Sequence, residues 1–145
     1  MLRDNGYWAC AAHIAVTPET GEVRVERITI VMDLGIVVNP LQLRRQVQAG
    51  CLMGVGQTLH EEVAFDEGAI TSADWTSYPI LTMAEMPDVK VVIAARPEFG
   101  EYGQGSESAN ALAAPAIAAA FFDATGKPAR RIPLRPDYVK AMLVA

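Results

Sequence analysis

Two apolar runs joined by a short polar connection constrain the fold of this chain more than any other feature. The first run covers residues 7–16 and mixes aromatic with β-branched side chains, and the second covers residues 23–32. The connection, residues 17–22, contains a proline and a glycine, which are typical of turns. Apolar and charged residues alternate in the second run, with a change of phase near Arg27. This pattern predicts a β-hairpin with one buried face and a bulge near Arg27.

The composition is that of a globular protein. Of its 145 residues, 51% are hydrophobic and 20% are charged, so we expect a single domain, residues 1–145, with its own core. The formal charge is -5 and the basic residues are dispersed, which argues against a nucleic-acid ligand. The apolar run at residues 111–122 is shorter than the roughly 20 residues of a membrane span, and residues 1–6 do not begin a signal peptide. We therefore expect a soluble chain without a membrane span.

Patterns that would hold a metal or a nucleophile are incomplete. His60 and Glu61 begin an H-E-x-x-H zinc-protease pattern, but Ala64 stands where the second histidine belongs. Cys10 and Cys51 are too far apart in sequence to form a C-x-x-C pair, and each is interpreted as a small buried hydrophobe. The G-x-S-x-G pattern of serine hydrolases is also missing. The sequence therefore indicates no metal ligands of its own.

A helix interrupted by glycines is predicted next. Asn39 suits its N-cap and Pro40 its first turn, and apolar residues then recur at helical spacing. Gly50, Gly54 and Gly56 interrupt this helix, and each costs about 1 kcal/mol relative to alanine. Such small residues allow close approach, either of another backbone or of a flat cofactor, and both interpretations stay open.

The rest of the chain indicates short strands and two more helices. Residues 63–71 are typical of a small hairpin around an acidic turn, and residues 89–95 of a strand. A helix is expected to open near Pro115 and to end at Gly126, which suits a left-handed C-cap. A last short helix is expected over residues 136–142. We therefore predict an α+β fold: a mixed or antiparallel sheet, a long glycine-containing helix and two shorter C-terminal helices.

A glycine-rich turn over residues 103–106 places Glu107 just ahead of an alanine-rich segment, residues 109–117. Glycines let a backbone come close to a ligand. A neighbouring helix N-terminus supplies N–H groups and a field that favours anions. This placement suits a catalytic base, although a Gly/Ser run is also typical of an ordinary turn.

Taken in order, these segments resemble the second molybdenum-binding domain of the xanthine dehydrogenase and aldehyde oxidase family. The resemblance covers nearly the whole chain, and it is closest to the molybdopterin-binding subunits of the isoquinoline and nicotinate type. The order and spacing of the segments are more specific than any one of them. The segments are residues 23–27, 33–40, 45–50, 53–62, 78–79, 86–88, the Glu107 loop, 114–118 and 123–126.

The resemblance implies roles for individual residues. Glu107 corresponds to the family's glutamate beside the molybdenum, and Gln46 corresponds to the glutamine that lies against the pterin. Gly103, Gly105 and Ser106 would form the cofactor-binding turn. The resemblance therefore implies one catalytic base and several cofactor contacts in this chain.

The turn departs from the family pattern at one point. The family usually reads G-x-G-E-P before its helix, whereas here a serine separates the second glycine from Glu107. Counting back from Pro115 still puts Glu107 in the base position, in preference to Glu98 or Glu101.

The family also implies a reaction. Its members are molybdenum oxidoreductases that use water to hydroxylate an N-heterocycle or an aldehyde and pass electrons to an iron–sulfur partner. The implied cofactor is molybdopterin, the molybdenum cofactor, in its cytosine dinucleotide form, with iron–sulfur clusters in another subunit. A glutamate becomes an effective base when a dry pocket raises its pKa, so Glu107 is expected in such a pocket.

Family members carry molybdenum in a much longer subunit, so this chain is expected to be the C-terminal part of one. Its expected partners are the remainder of that subunit, an iron–sulfur subunit and a small-molecule substrate, and self-association into a homo-oligomer is also expected. The expected location is cytoplasmic, or periplasmic if a missing N-terminal portion carries a twin-arginine signal. The alternative is a non-catalytic assembly module or fragment that keeps the fold and has lost cofactor binding.

Overall fold

The computed structural model of the chain describes residues 2–3, 6–94, 96–100, 102–105 and 107–144. The elements in chain order are β1 (Leu2–Arg3), β2 (Gly6–Thr17), β3 (Glu22–Asp33), α1 (Pro40–Leu59), β4 (Phe65–Asp66), β5 (Ala69–Ile70), β6 (Asp88–Ile93), α2 (Ser108–Thr125) and α3 (Pro136–Val144). The main sheet has the strand order β1-β2-β3-β6, in which β2 is antiparallel to β3 and β6 is parallel to β3. Short 3-10 helices cover Met83–Glu85 and Pro97–Phe99. The predicted α+β fold with a mixed sheet and three helices is confirmed.

The long hairpin of β2 and β3 contains the predicted bulge. His13 pairs with Arg27 and Ile14 pairs with Val25, so Glu26 is the extra residue on β3. The apolar residues on both sides of the bulge are buried on one face of the sheet. The bulge therefore explains the change of phase in the sequence.

The core lies between this sheet and a layer of helices. Helices α1 and α2 pack against each other, and α2 also packs against β2. Ile28, Ile30 and Met32 of β3 and Ile117 and Phe121 of α2 are fully buried between them. The arrangement is a two-layer one, in which each element buries one face. Within the described ranges, no helix has the length and hydropathy needed to cross a bilayer.

Helix α1 begins as the sequence predicts. The Asn39 side-chain oxygen accepts the N–H of Gln42 at 3.0 Å, and Pro40 occupies the first turn. At the other end of the helix the N–H of His60 donates to Gly56 O at 2.8 Å. These bonds satisfy backbone groups that a helix terminus otherwise leaves without intrahelical partners.

The glycines of α1 are explained in part by packing within the chain. A β-carbon on Gly54 would lie 2.6 Å from Ala113 Cβ and 2.7 Å from Asn110 O, both in α2. A β-carbon on Gly56 would lie 2.6 Å from a carboxylate oxygen of Glu61. At Gly54, another backbone makes the close approach that the sequence left open between backbone and cofactor.

Helix α2 begins earlier than predicted. It starts at Ser108, so the expected start near Pro115 is wrong, and Pro115 lies inside the helix. Proline removes one helical hydrogen bond, but the surrounding alanines favour helix and α1 packs along its length. The predicted C-cap is confirmed, since Gly126 is left-handed at φ 68° and its N–H donates to Phe122 O at 2.8 Å.

The edge of the sheet at β6 is covered by side chains from α1. The guanidinium of Arg44 donates to the carbonyl of Val91. The amide of Gln48 donates to the carbonyl of Val89 at 3.3 Å. Two of the strand's outward carbonyls therefore already have donors.

Candidate functional site

Two loops meet where the parallel strands β3 and β6 end. The loop after β3 leads into α1, and the loop after β6 leads into α2. The N–H of Gly103 donates to Leu34 O at 2.9 Å, and Gly35 and Tyr102 form an antiparallel bridge. Ligands in open α/β sheets bind outside the carboxyl ends of parallel strands, so the candidate site lies at the carboxyl ends of β3 and β6.

Glu107 lies at the N-cap position of α2. Its carbonyl accepts the N–H of Ala111 at 3.1 Å, and the residue is exposed. The described residues therefore do not provide the dry pocket expected around a glutamate base.

The two predicted glycines of the turn pack tightly against the neighbouring loop and α1. A β-carbon on Gly103 would lie 2.8 Å from Leu34 Cδ2 and 3.2 Å from the Cα of Gly6. A β-carbon on Gly105 would collide with the side chain of Leu43 in the first turns of α1. Packing within the chain therefore accounts for both glycines.

The other predicted cofactor contacts fall at the same end of α1 or outside the described residues. Gln46 is exposed on α1, one turn after Leu43, and Leu43 is also the residue that approaches Gly105. Ser106 lies outside the described residues. A depression of about 210 Å³ is lined by Leu34, residues 36–39, Leu43, Tyr102, Gly103 and Gly105.

An ion pair that the sequence did not predict joins the two loops. Asp33 ends β3, and its carboxylate pairs with the guanidinium of Arg96 and accepts the N–H of Gly35 at 3.2 Å. Burial favours the neutral acid, but the Gly35 bond and the Arg96 charge more than offset it and lower the pKa of Asp33. The Asp-Leu-Gly sequence, with Gly35 left-handed at φ 67°, was the signal for an Asx turn.

The acidic residues after α1 serve local structure. The hydroxyl of Tyr78 donates to Glu61 at 2.9 Å, and Glu62 pairs with Arg131 at 2.7 Å and Arg135 at 3.6 Å. Among the described residues, no three His, Cys, Asp or Glu side chains are grouped so that they could hold a metal ion.

Sequence comparison relates the chain to molybdenum enzymes. The molybdopterin cofactor-binding domain family matches residues 3–87. The chain is 40% identical to a nicotinate dehydrogenase subunit of Pseudomonas putida, over 94% of this chain and 12% of that protein. It is 34% identical to the probable hypoxanthine oxidase XdhD of Escherichia coli K12, over 83% of this chain and 13% of that protein.

Structural comparison gives the same relationship. The aldehyde oxidoreductase of Desulfovibrio gigas superposes with a TM-score of 0.84 at 28% identity, over 97% of this chain and 16% of that one. The quinoline 2-oxidoreductase of Pseudomonas putida 86 superposes with a TM-score of 0.83 at 27% identity, over 92% of this chain and 18% of that one. The chain therefore spans less than a fifth of the length of these relatives.

Proposed function

Because the chain belongs to the molybdopterin cofactor-binding domain family, we propose that it forms the C-terminal part of a molybdopterin-binding subunit in a molybdenum hydroxylase. The observation that supports this function best is the position of Glu107. This exposed residue stands at the N-terminal end of α2, directly after the turn that packs against the start of α1. A base in this position can reach a substrate bound outside the carboxyl ends of β3 and β6.

The polar groups near the carboxyl ends of β3 and β6 fit a cofactor that brings its own metal. The described residues offer a carboxylate at Glu107, an amide at Gln46 and backbone groups at Gly103 and Gly105, and no group of metal ligands. We assign cofactor contact to Gln46, Gly103, Gly105 and Ser106. When bound, molybdopterin would supply the redox chemistry, and the protein would supply binding, orientation and proton transfer.

In this reaction Glu107 acts as the general base. It takes a proton from the attacking oxygen nucleophile as that oxygen adds to an electron-poor carbon. Burial against the rest of the subunit would then raise the basicity of the carboxylate.

The substrate class and partners follow from the same proposal. The relatives include proteins named for nicotinate, quinoline and aldehydes, which supports an N-heterocycle or an aldehyde as substrate. Nicotinate dehydrogenase and isoquinoline 1-oxidoreductase are named as subunits, which supports a partner subunit. The cytosine dinucleotide form of the cofactor, iron–sulfur clusters in that partner, a cytoplasmic location and a homo-oligomer stay predictions.

The substitution Glu107→Gln in the complete enzyme tests the role of the base. A general base contributes roughly 10²- to 10⁴-fold, so turnover should fall by that factor while the molybdenum content stays at the wild-type level. Glu98→Gln is the matched control, since Glu98 is an exposed glutamate of the same loop and should tolerate the change. Near-normal turnover of Glu107→Gln would exclude this assignment.

The comparisons do not favour the alternative, a non-catalytic assembly module. Metal analysis of the complete complex distinguishes the two functions. Stoichiometric molybdenum with dye-linked oxidation of a heterocycle or an aldehyde supports the enzyme. A stable complex that contains no molybdenum supports the assembly module.

A further inference from the structure

We propose that Asp33 is a positioning residue, which fixes the loop that carries Glu107 by bonding to both loops of the candidate site. The inference rests on the proposed function, because it concerns the same site. The proposal adds to this site Asp33, the last residue of β3, which lies 63 residues before its partner Arg96 in the sequence. Asp33 acts through Glu107 and does not itself contact the substrate.

The first step is the position of Asp33 at the end of its strand. Its side chain is only 12% exposed, although it is charged. One oxygen accepts the N–H of Gly35 at 3.2 Å, and the other receives both Nε and Nη2 of Arg96. A buried carboxylate with this many donors has little freedom to reorient.

The second step is the effect of Asp33 on its own loop. Its bond to Gly35 closes a turn in which Gly35 adopts the left-handed conformation, φ 67°. Gly35 then bridges to Tyr102, and Leu34 accepts the N–H of Gly103. The turn that Asp33 forms therefore presents the groups to which the Glu107 loop is hydrogen-bonded.

The third step is the effect of Asp33 on the Glu107 loop itself. Arg96 follows β6 and opens the segment that leads to Glu107. The ion pair with Asp33 holds the start of this segment in place. The bridge at Tyr102 and the hydrogen bond of Gly103 hold it near its end. Both attachments depend on Asp33, the first through its charge and the second through its turn.

A second ion pair, which joins β3 to β6 themselves, provides a matched control. Arg27 and Asp88 pair at 3.2 Å, also joining β3 to β6, but where β6 begins. Their side chains are 61% and 67% exposed, and this pair contacts neither loop of the site. Asp88→Asn thus removes an ion pair between the strands without disturbing the site, and exposed pairs contribute little to stability.

The experiment compares Asp33→Asn and Asp88→Asn in the complete enzyme, with amide hydrogen exchange, molybdenum content and steady-state kinetics as readouts. In Asp33→Asn, the amides of Gly35 and Gly103 should exchange about tenfold faster, because the neutral amide oxygen of asparagine accepts the Gly35 N–H more weakly than the carboxylate and no longer pairs with Arg96. Turnover should fall by up to about 10²-fold with little change in KM, since small displacements of a catalytic group have effects of that size. Asp88→Asn should match the wild type in every readout.

Arg96→Gln decides the question if Asp33→Asn fails to fold. It keeps the Asp33 turn and removes the ion pair, so it should accelerate exchange in the segment after β6 and lower turnover. Wild-type exchange or wild-type turnover in the folded variants would overturn the role of Asp33. If Glu107→Gln is inactive in the same enzyme, that result leaves the proposed function intact. If Glu107→Gln is fully active, the proposed function itself has failed.

Discussion

Gly54 lies against the carbonyl of Asn110 so closely that a β-carbon on the glycine would be 2.7 Å from the oxygen. The neighbouring Ala113 Cβ would be 2.6 Å away. Neither neighbour is the flexible end of a long side chain. The contact between α1 and α2 at this point therefore requires glycine on α1.

Gly54→Ala should consequently destabilise the chain. Overpacking of a close contact costs about 1–3 kcal/mol, since the helices have to separate to admit the methyl group. Gly56→Ala is the control, because its added carbon meets only the end of the Glu61 side chain. The cost is limited to shifting the bond between Glu61 and Tyr78, and alanine adds about 1 kcal/mol of helix propensity. Urea denaturation measures both variants. Equal midpoints for the two would contradict a specific contact at Gly54.

Two adjacent phenylalanines of α2 should respond very differently to truncation. Phe121 is fully buried in the core, whereas Phe122 is 54% exposed. Phe121→Ala should lower the free energy of unfolding by about 3–5 kcal/mol, because it leaves a cavity. Phe122→Ala should change it by about 0.5 kcal/mol or less. Similar losses in thermal unfolding experiments would mean that α2 is rotated from its described orientation.

The cysteine thiols should be unreactive in the folded chain. Burial, together with the neighbouring Cys10, raises the pKa of Cys51 to about 12, and burial raises that of Cys10 to about 11. Since the thiolate is the reactive form, iodoacetamide at about pH 8 should label both slowly until the chain is unfolded. Mass spectrometry follows the labelling, with free cysteine as the reference. Native labelling as fast as that of the reference would contradict the described burial.

Asp33 should make the folded state sensitive to acid. Burial opposes its charge, but Gly35 and Arg96 hold its pKa below the ordinary value in the folded state. The contribution of Asp33 to the free energy of unfolding is therefore complete above its unfolded-state pKa of about 3.9. This contribution is lost as the pH falls through the lower folded-state pKa.

Asp33→Asn should accordingly flatten the acid side of a plot of Tm against pH. Asp88→Asn serves as the control, since its ion pair with Arg27 is largely exposed. An unchanged acid limb in Asp33→Asn would show that the pair with Arg96 adds nothing to stability.

The elements that sequence reasoning predicted correctly have local signals. The alternation of β3, the Asn39 cap and the Gly126 C-cap each depend on residues within a few positions of one another. The error at α2 had a local cause as well. Pro115 was interpreted as a helix start, whereas the alanines before it and the contact with α1 extend the helix back to Ser108.

The candidate site was only partly predictable. The glycine turn and Glu107 stand out in the sequence because they are consecutive. The pair of Asp33 and Arg96 does not stand out, because it depends on the pairing of β3 with β6, which are separated in the sequence by the whole of α1. The tight packing of Gly103 on Leu34 depends on the same pairing. Long-range strand pairing was therefore the missing information.

The donors that Arg44 and Gln48 supply to Val91 and Val89 have a consequence for assembly. An uncovered outer strand is a template on which a foreign segment can add in register, and uncontrolled addition leads to aggregates. Here an incoming segment would first have to displace two side chains anchored on α1. Strand addition is thus disfavoured at the β6 edge, and neighbouring polypeptide is left to contact the loops and faces on this side of the sheet.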